Sequence, residues 1–492
     1  MKKSIIKQLS LYNYRYVASY SFYAVLLIVM LLLAITDFPR GLNTQEIASA
    51  THSATASVHS ILFSDPINAP YVLLQKVFMH VFGITPIAIK LPSLILGFLT
   101  GMALVLMLRQ WFSDNVAVLT SATVATGGPF LTMGRTGTAL IMYAFWLSII
   151  LLSATKKLYG KEKTFRWKLL FFGAAAASLY TPMMIYPLIA IMIAGLLHPH
   201  IRYTIRQISL KNLSIVVSAA LCILAPLVWS LAHNQAHITE LLGFPSSVPN
   251  LEMVWHNLRI FFRVFFEFGS IQVGIYLLPL FNAATLIVVL LGILRTLADR
   301  FSARSYMLLI WTSLIFILVL FNPSAMSVIY MPIILYLAVG VETLIREWYR
   351  LFPRNPYARI AALIPLTILL VSISTANIAR YFYGYAYIAD PKVFHTELTN
   401  IRATLDKPVL KNKQVTLVTT KDSLAFYGLL SRDYKNLSVT DTSVVAPREI
   451  ITEERYTSLN DTQRQSLPVP YRIITTGLKS QSLLLRVYIS KE

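Results

Sequence analysis

The sequence is poor in charged residues and contains one cysteine. Charged side chains make up 13% of its 492 residues, which is about half the share that is usual in soluble domains. The lone Cys222 excludes an internal disulfide and a cysteine-based metal site. Acidic residues number 22 against 43 basic ones, so the net charge is +21. We do not infer a nucleic-acid partner from this charge, because the basic residues cluster at the ends of apolar runs, as topology signals do.

Long apolar runs dominate the chain instead. Hydrophobic residues make up 56% of it, and the mean hydropathy is +0.62. Runs of about twenty apolar residues recur, and each is long enough to cross a bilayer. We therefore predict an α-helical, multi-pass membrane protein with about eleven spans, the first of them a retained anchor because it shows no small-residue cleavage site. The predicted spans are 19–36, 92–108, 114–131, 138–154, 168–184, 185–198, 212–232, 272–294, 305–321, 326–344 and 360–378.

The basic loops predict the orientation. Lysine and arginine concentrate at the N-terminus and at 156–168, 202–211, 295–304 and 346–359. With an odd number of spans and a cytoplasmic N-terminus, these loops all lie on the cytoplasmic side of the cell membrane. The segment 37–91, the loop 233–271 and everything after about 384 then lie outside. The predicted domains are a transmembrane domain over 1–383 and an extracytoplasmic α/β domain over 384–492.

The predicted C-terminal domain mixes strands with a helix. The runs "QVTLVTT" (414–420), "NLSVT" (436–440) and "SLLLRVYIS" (482–490) are typical of strands, and "KDSLAFYGLLS" (421–431) of a helix. No Gly-rich turn joins a strand to a helix here, so the sequence does not indicate a nucleotide site.

The outer segment 37–91 is predicted to contain two amphipathic helices, at 44–63 and 69–83. We expect both helices to lie in the plane of the membrane interface, with the apolar side towards the lipid. Glu46 falls on the polar face of the first helix. It is also placed to stabilise the start of that helix, with Asn43 or Thr44 as the cap.

Four stretches together resemble a known family. They are "DFPRGLNTQEIASA" (37–50), "KLPSLILG" (90–97), "GRTGTALIMYAFW" (134–146) and "YMPIILYLAVG" (330–340). In this order they resemble the GT-C membrane glycosyltransferases, in the branch of the protein mannosyltransferases and lipid A aminoarabinose transferases (family 39 and 83 type). The resemblance is carried by about residues 15–160. It implies a transferase that moves a sugar from a polyprenyl-phosphate donor to an extracytoplasmic protein, lipid or glycan.

The resemblance also suggests site residues. The family's Asp-Glu pair stands here as Gln45–Glu46, and glutamine cannot act as a base. An attacking hydroxyl needs a general base, so the catalytic candidates are Glu46, Asp37 and Asp65. The leaving phosphate needs cations or a divalent metal. The candidates for substrate binding are Arg135, Lys90, Arg40, His256, Arg259 and Arg263. We predict no metal ligand set, because the histidines in the first outer helix are badly spaced for one ion.

Structural explanations compete with these assignments. Asp37 and Arg40 suit an interfacial ion pair, and Asp65 before a proline suits the start of a turn. Lys90 and Arg135 suit membrane anchoring with a snorkelling side chain. The basic residues of the loop 233–271 share one helix face with Glu267, which suits an internal pair with Arg263.

Two other functions stay open. A transporter or lipid flippase would place acids at mid-membrane, whereas Glu342 lies near the cytoplasmic end of its span, and no inverted repeat is visible. A non-catalytic envelope protein with the GT-C fold is the other alternative, since the family's Asp is missing. We expect the C-terminal domain to help choose the acceptor or to anchor the protein to the envelope.

Overall fold

The computed structural model describes residues 10–36, 41–159, 164–199, 202–203, 210–245, 250–266, 282–351, 356–383, 397–411, 413–442, 448–475 and 484–489. Asp37, Arg40 and Glu267 lie outside these residues.

Up to Tyr383 the described chain is helical. The helices run over Ser10–Thr36 (α1), Thr44–Thr55 (α2), Ala69–Phe82 (α3), Pro86–Trp111 (α4), Asp114–Ala125 (α5), Gly128–Arg135 (α6), Ile141–Tyr159 (α7), Thr164–Ser178 (α8), Ile185–Leu197 (α9), Leu210–His233 (α10), Ala236–Leu242 (α11), Leu251–Phe266 (α12), Ala283–Ala298 (α13), Ala303–Phe321 (α14), Met326–Leu351 (α15) and Pro356–Tyr383 (α16).

Each predicted span overlaps one of these helices, and four stretches of helix are long and apolar enough to cross a membrane. These four are Pro86–Trp111, Leu213–His233, Ala303–Phe321 and Pro323–Leu351 among the described residues. Shorter apolar helices cover Tyr20–Leu33, Ile141–Lys156, Ile185–Leu197 and Ala283–Ala298. The chain is thus an α-helical membrane protein. The count of about eleven spans stays a prediction.

The predicted third span, 114–131, is broken. Helices α5 and α6 meet at an angle of 63°. The break falls at Thr126–Gly127, and Pro129 stands in the first turn of α6. Proline has no N–H to donate to a preceding carbonyl, so it starts a new helix more readily than it continues an old one. The bend brings Arg135, at the end of α6, into the protein interior.

The core of the helical region centres on α15. Its side chains from Ser327 to Val341 are buried. Gly292 of α13 and Gly340 of α15 let these two helices touch through their backbones, since a Cβ on either glycine would overlap a carbonyl group of the partner helix. Small residues at such crossings are what permits close packing of helices in membranes.

The outer segment differs from the prediction in length and in orientation. Helix α2 ends at Thr55, and a short π-helix follows at Ser60–Ser64. The polar face of α2 points inwards, because Glu46 and Ser53 are buried. The reason is a polar partner: Gln75 of α3 is fully buried and accepts hydrogen bonds from Ser53 and Ser49 at 2.7 and 2.9 Å. Hydrogen bonding makes burial of that face acceptable.

The C-terminal region holds a five-stranded sheet in the order β2-β1-β3-β5-β4. Strand β1 is parallel to β2 and β3, and β5 is antiparallel to β3 and β4. The three predicted strands and the predicted helix are confirmed, whereas β3 and β4 were not predicted. The elements are Glu397–Leu405 (α17), Val415–Val418 (β1), Lys421–Gly428 (α18), Leu437–Thr440 (β2), Arg448–Ile451 (β3), Glu453–Ser458 (α19), Asp461–Gln465 (α20), Arg472–Thr475 (β4) and Leu484–Ile489 (β5).

This region is clamped to the outer segment. Arg402 donates a hydrogen bond to the carbonyl oxygen of Ile84 at 2.9 Å, and Asp433 accepts one from the Ile84 N–H at 3.0 Å. Arg402 and Asp433 are themselves paired at 2.6 Å. Leu42 and Met79 of the outer segment also belong to the same buried cluster as the sheet residues. The C-terminal sheet and the outer segment therefore lie on the same side of the protein.

Candidate functional site

Glu46 closes a capping box at the start of α2, as the sequence predicted. The Asn43 side chain accepts a hydrogen bond from the Glu46 N–H at 2.8 Å, and Glu46 Oε2 accepts one from the Asn43 N–H at 2.8 Å. The other carboxylate oxygen, Oε1, accepts a hydrogen bond from the Gly137 N–H at 2.7 Å. Both oxygens of this carboxylate thus have partners within the protein.

Lys90 lies beside the same carboxylate. Its Nζ is 3.8 Å from Glu46 Oε1 and donates a hydrogen bond to the carbonyl oxygen of Gly41 at 2.6 Å. The Glu46 and Lys90 side chains are 1% and 2% exposed. The structure therefore brings together one predicted base and one predicted phosphate ligand, as a buried ion pair. Removing either partner would leave an uncompensated charge in the interior.

The turn after α6 is held by side chains from three helices. Glu46 of α2 binds the N–H of Gly137, and Gln75 of α3 donates to the Gly137 carbonyl at 2.9 Å. Ser93 of α4 donates to the Thr136 carbonyl at 2.6 Å. Backbone groups that are bound at this many points have little freedom to move. The position of residues 136–138 is therefore set by the outer segment.

A cavity of ≈ 420 Å³ opens beside this turn. Its volume lies in the range of roughly 300–1,000 Å³ that is usual for ligand sites. Its walls come from α2, from the chain leading into α3, from the turn after α6 and from α11. The lining residues are Ala48, Ser49, His52, Asp65, Ile67, Asn68, Tyr71, Val72, Thr138, Ala139, His237 and Glu240.

Asp65 and His52 form a carboxylate–imidazole pair in this cavity. His52 Nε2 is 3.7 Å from Asp65 Oδ2, and the two side chains are 39% and 44% exposed. His237 Nε2 lies 2.9 Å from the carbonyl oxygen of the preceding residue, Ser64. An exposed carboxylate in a cavity can accept a proton from a bound hydroxyl, which a fully buried and bonded carboxylate cannot do without rearrangement.

Two polar atoms of the cavity lining have no hydrogen-bond partner among the described residues. They are Oδ1 of Asn68 and Oγ1 of Thr138. Asn68 has a left-handed backbone with φ 55°, and its N–H donates to the Tyr180 carbonyl at 2.7 Å. Asparagine tolerates this conformation better than most residues. Buried polar atoms are normally satisfied, so these two atoms are exceptions within the wall of the cavity.

The remaining predicted residues lie elsewhere. Arg135 is buried at the end of α6, two residues before Gly137. His256, Arg259 and Arg263 are exposed on α12 and do not line the cavity. The predicted roles of Asp37 and Arg40 concern residues outside the described part of the chain.

The sequence did not single out Asn68, Thr138 or Glu240 as site residues. A signal existed for the last of these, since the polar run "HNQAHITE" (233–240) directly follows an apolar span. No such pattern marks Asn68 and Thr138, which lie 70 positions apart in the chain and meet only in the folded protein.

The described residues do not form a metal ligand set. Among them, no group of three or more His, Cys, Asp or Glu side chains could hold a metal ion. His52 and Asp65 would supply two ligands, fewer than the three or four protein ligands that zinc sites use.

Comparison with known proteins identifies the fold. The family model for dolichyl-phosphate-mannose-protein mannosyltransferase matches residues 65–229. The chain is similar to ArnT from Cupriavidus metallidurans in the apo state, with a TM-score of 0.53 and 12% identity over 95% of this chain and 97% of that one. The chain has the GT-C fold. The GT-C fold was predicted from the ordered stretches at 37–50, 90–97, 134–146 and 330–340, and that prediction is confirmed.

A second GT-C protein with a similar structure is larger. The chain is similar to the Archaeoglobus fulgidus oligosaccharyltransferase tethered with an acceptor peptide containing the NVT sequon, with a TM-score of 0.51 and 14% identity. The match covers 85% of this chain and 63% of that protein, so this chain spans less than two thirds of its length. Sequence comparison with curated proteins gives no match. In this GT-C fold the cavity lies between the outer segment, the turn after α6 and α11.

Proposed function

We propose that this protein is a membrane glycosyltransferase. It moves a sugar from a polyprenyl-phosphate carrier to an acceptor on the outer side of the cell membrane. The observation that carries the proposal is the cavity that contains Asp65, a half-exposed carboxylate, within a GT-C fold. The family match supports the donor class, since its description names a dolichyl-phosphate sugar and it covers Asp65, Asn68 and Thr138.

Asp65 is the general base in this proposal. Its carboxylate takes the proton from the acceptor hydroxyl while that oxygen attacks the anomeric carbon of the sugar. The bond between this carbon and the phosphate oxygen breaks, and polyprenyl phosphate leaves. His52, at 3.7 Å, orients the carboxylate. Asn68 and Thr138 also line the cavity.

Glu46 has a positioning role in this scheme. It is buried and bonded through both oxygens, so it does not face the acceptor. It fixes Gly137, and through it the neighbouring Thr138 of the cavity wall. The leaving phosphate requires a cation. Lys90 and Arg135 are 2% and 1% exposed and do not line the cavity, so by the same reasoning they do not face the phosphate. Arg40 remains our candidate for that contact.

The orientation is also part of the proposal. The N-terminus is placed in the cytoplasm by the basic loops, and the outer segment and C-terminal region lie outside. The contacts of Arg402 and Asp433 with Ile84 support a common side for those two parts. The acceptor is an extracytoplasmic protein, lipid or glycan.

The test compares sugar transfer by wild type and Asp65→Asn. Purified protein in nanodiscs is given radiolabelled sugars on polyprenyl phosphates, with native membrane extract as the acceptor. We expect Asp65→Asn to lower transfer by about 100-fold or more while the melting temperature stays the same. Asp114→Asn is the matched control, because Asp114 pairs with Arg109 and does not line the cavity.

Three outcomes would contradict parts of the proposal. Full transfer by Asp65→Asn would remove Asp65 as the base. Binding of a lipid-linked sugar by the wild type without turnover would favour a non-catalytic protein. Directional lipid or solute transport without sugar transfer would favour a transporter.

A further inference from the structure

Helix α12 packs antiparallel against the C-terminal end of a membrane span. The Asn257 side chain donates a hydrogen bond to the carbonyl oxygen of Leu320 at 2.9 Å, and the Phe261 ring packs edge-to-face on Phe316 with centroids 5.4 Å apart. Leu320 is the next-to-last residue of α14, a helix that is long and apolar enough to cross the membrane. Asn257 therefore lies beside the end of that span, where it meets the membrane surface, and Phe261 lies one turn further along it.

One side of α12 exposes a ridge of large apolar residues. Leu251, Trp255, Phe262 and Phe266 are 86%, 62%, 49% and 49% exposed. Their spacings of four, seven and four residues align them along one stripe of the helix. Apolar residues exposed on a surface helix at this level suit contact with lipid, and Trp is enriched at membrane interfaces.

A basic stripe runs beside this ridge. His256, Arg259 and Arg263 are exposed and are spaced three and four residues apart. Glu252 is the one acid in the sequence of α12. Basic residues next to an apolar face with aromatic side chains are typical of interfacial helices that bind anionic lipids. Basic residues concentrate in cytoplasmic loops of membrane proteins. The loop 233–271 is predicted to lie outside, so this tendency does not explain the three basic residues of α12.

We propose that α12 is a binding site for anionic phospholipid. The ridge of Leu251, Trp255, Phe262 and Phe266 enters the acyl region, and the stripe of His256, Arg259 and Arg263 binds headgroup phosphates. Charge complementarity favours an anionic lipid over a neutral one, because the helix carries two arginines, Arg259 and Arg263, against one acid, Glu252. This site goes beyond sugar transfer and does not depend on it.

The test measures lipid retention by the full-length protein. The protein is purified in detergent, stripped of lipid and titrated with phosphatidylglycerol or phosphatidylcholine under native mass spectrometry. The double variant Arg259→Gln and Arg263→Gln is expected to bind phosphatidylglycerol about tenfold more weakly than the wild type. The matched control is Lys411→Gln with Lys421→Gln, which removes the same charge from exposed positions in the C-terminal region.

A second measurement tests the ridge. In nanodiscs with brominated acyl chains, we expect the Trp255 fluorescence to be quenched, so quenching should remove less intensity from Trp255→Phe than from the wild type. Trp229, which is 57% exposed on α10, is present in both. The proposal is overturned if the Arg259/Arg263 variant binds phosphatidylglycerol as tightly as the control. It is also overturned if both lipids bind equally, if the substitutions weaken binding of polyprenyl phosphate alone, or if Trp255 is not quenched.

Discussion

The carboxylate of Glu46 accepts a hydrogen bond from the main-chain N–H of Gly137, 91 positions later in the sequence, at 2.7 Å. This bond joins the start of the first outer helix to the turn after the bent pair α5–α6. Because Gln75 holds the carbonyl of the same residue, the peptide units of Gly137 are bound on both sides. The Glu46 carboxylate therefore holds the residue next to Thr138 of the cavity wall.

Loss of the Glu46 carboxylate should destabilise the protein. In Glu46→Ala, Lys90 stays buried without its anion, and the N–H groups of Asn43 and Gly137 lose their acceptor. We expect the free energy of unfolding to fall by about 3–5 kcal/mol, visible as a lower melting temperature in detergent. Glu347→Ala is the control. Its exposed pair with Arg350 should cost less than about 1 kcal/mol. Equal effects of the two substitutions would contradict a structural role for Glu46.

A side chain at Gly137 should also destabilise the protein. A Cβ there would lie 2.9 Å from Ile89 Cγ2 and 3.0 Å from the Ile89 carbonyl oxygen. We expect Gly137→Ala to cost about 1–3 kcal/mol through overpacking and to shift Thr138 in the cavity wall. Gly428→Ala is the matched control, because nothing lies within 4 Å of a Cβ at that position. Thermal unfolding of both variants checks the prediction, and a Gly137→Ala variant as stable as Gly428→Ala would disprove it.

The clamp on Ile84 should be visible in hydrogen exchange. Asp433→Ala removes the acceptor of the Ile84 N–H and the partner of Arg402. We expect the Ile84 amide to exchange about tenfold faster, in line with the loss of one hydrogen bond worth about 1–1.5 kcal/mol. Asp461→Ala, which breaks an exposed pair with Arg464, should leave that amide unchanged. If exchange at Ile84 is the same in both variants, the clamp does not hold the two parts together.

Glu397 should make stability depend on pH. Burial raises the pKa of this carboxyl from its ordinary value of 4.5 to about 7, with nearby Glu454 and Glu453 adding to the shift and the Tyr427 hydroxyl opposing it. Between these two pH values the folded protein keeps a proton that the unfolded chain loses. The contribution of Glu397 to the free energy of unfolding is therefore complete below pH 4.5. It falls by about 3 kcal/mol in total as the pH rises to about 7.

The measurement is the melting temperature of the full-length protein at pH 5 and pH 7.5. We expect Glu397→Gln to remove most of the difference that the wild type shows, since glutamine does not ionise. Asp461→Asn, at a position where the side chain is 90% exposed, should keep the wild-type difference. A pH dependence that is unchanged in Glu397→Gln would rule out this carboxyl as its source.

The role of the C-terminal region stays a prediction. Deletion of residues 385–492 would be a direct test of acceptor choice, but Leu42 and Met79 share a buried cluster with Leu398 and Leu430. Deletion would expose that cluster, so an effect on folding would not be distinguishable from an effect on acceptor choice. Substitutions on the exposed surface of the sheet are the sharper test, with a changed acceptor profile as the expected result.

The membrane class, the GT-C fold and most elements could be predicted from the sequence, because these depend on local composition and on spacing along the chain. The sequence also predicted the cap formed by Asn43 and Glu46, which are three residues apart. Which of the two described candidate carboxylates faces the cavity depends on the tertiary structure. Glu46 accepts a hydrogen bond from the Gly137 N–H and pairs with Lys90, whereas Asp65 faces the cavity beside His52. Exposure and hydrogen bonding between distant residues follow from packing, and no local pattern in the sequence encodes them.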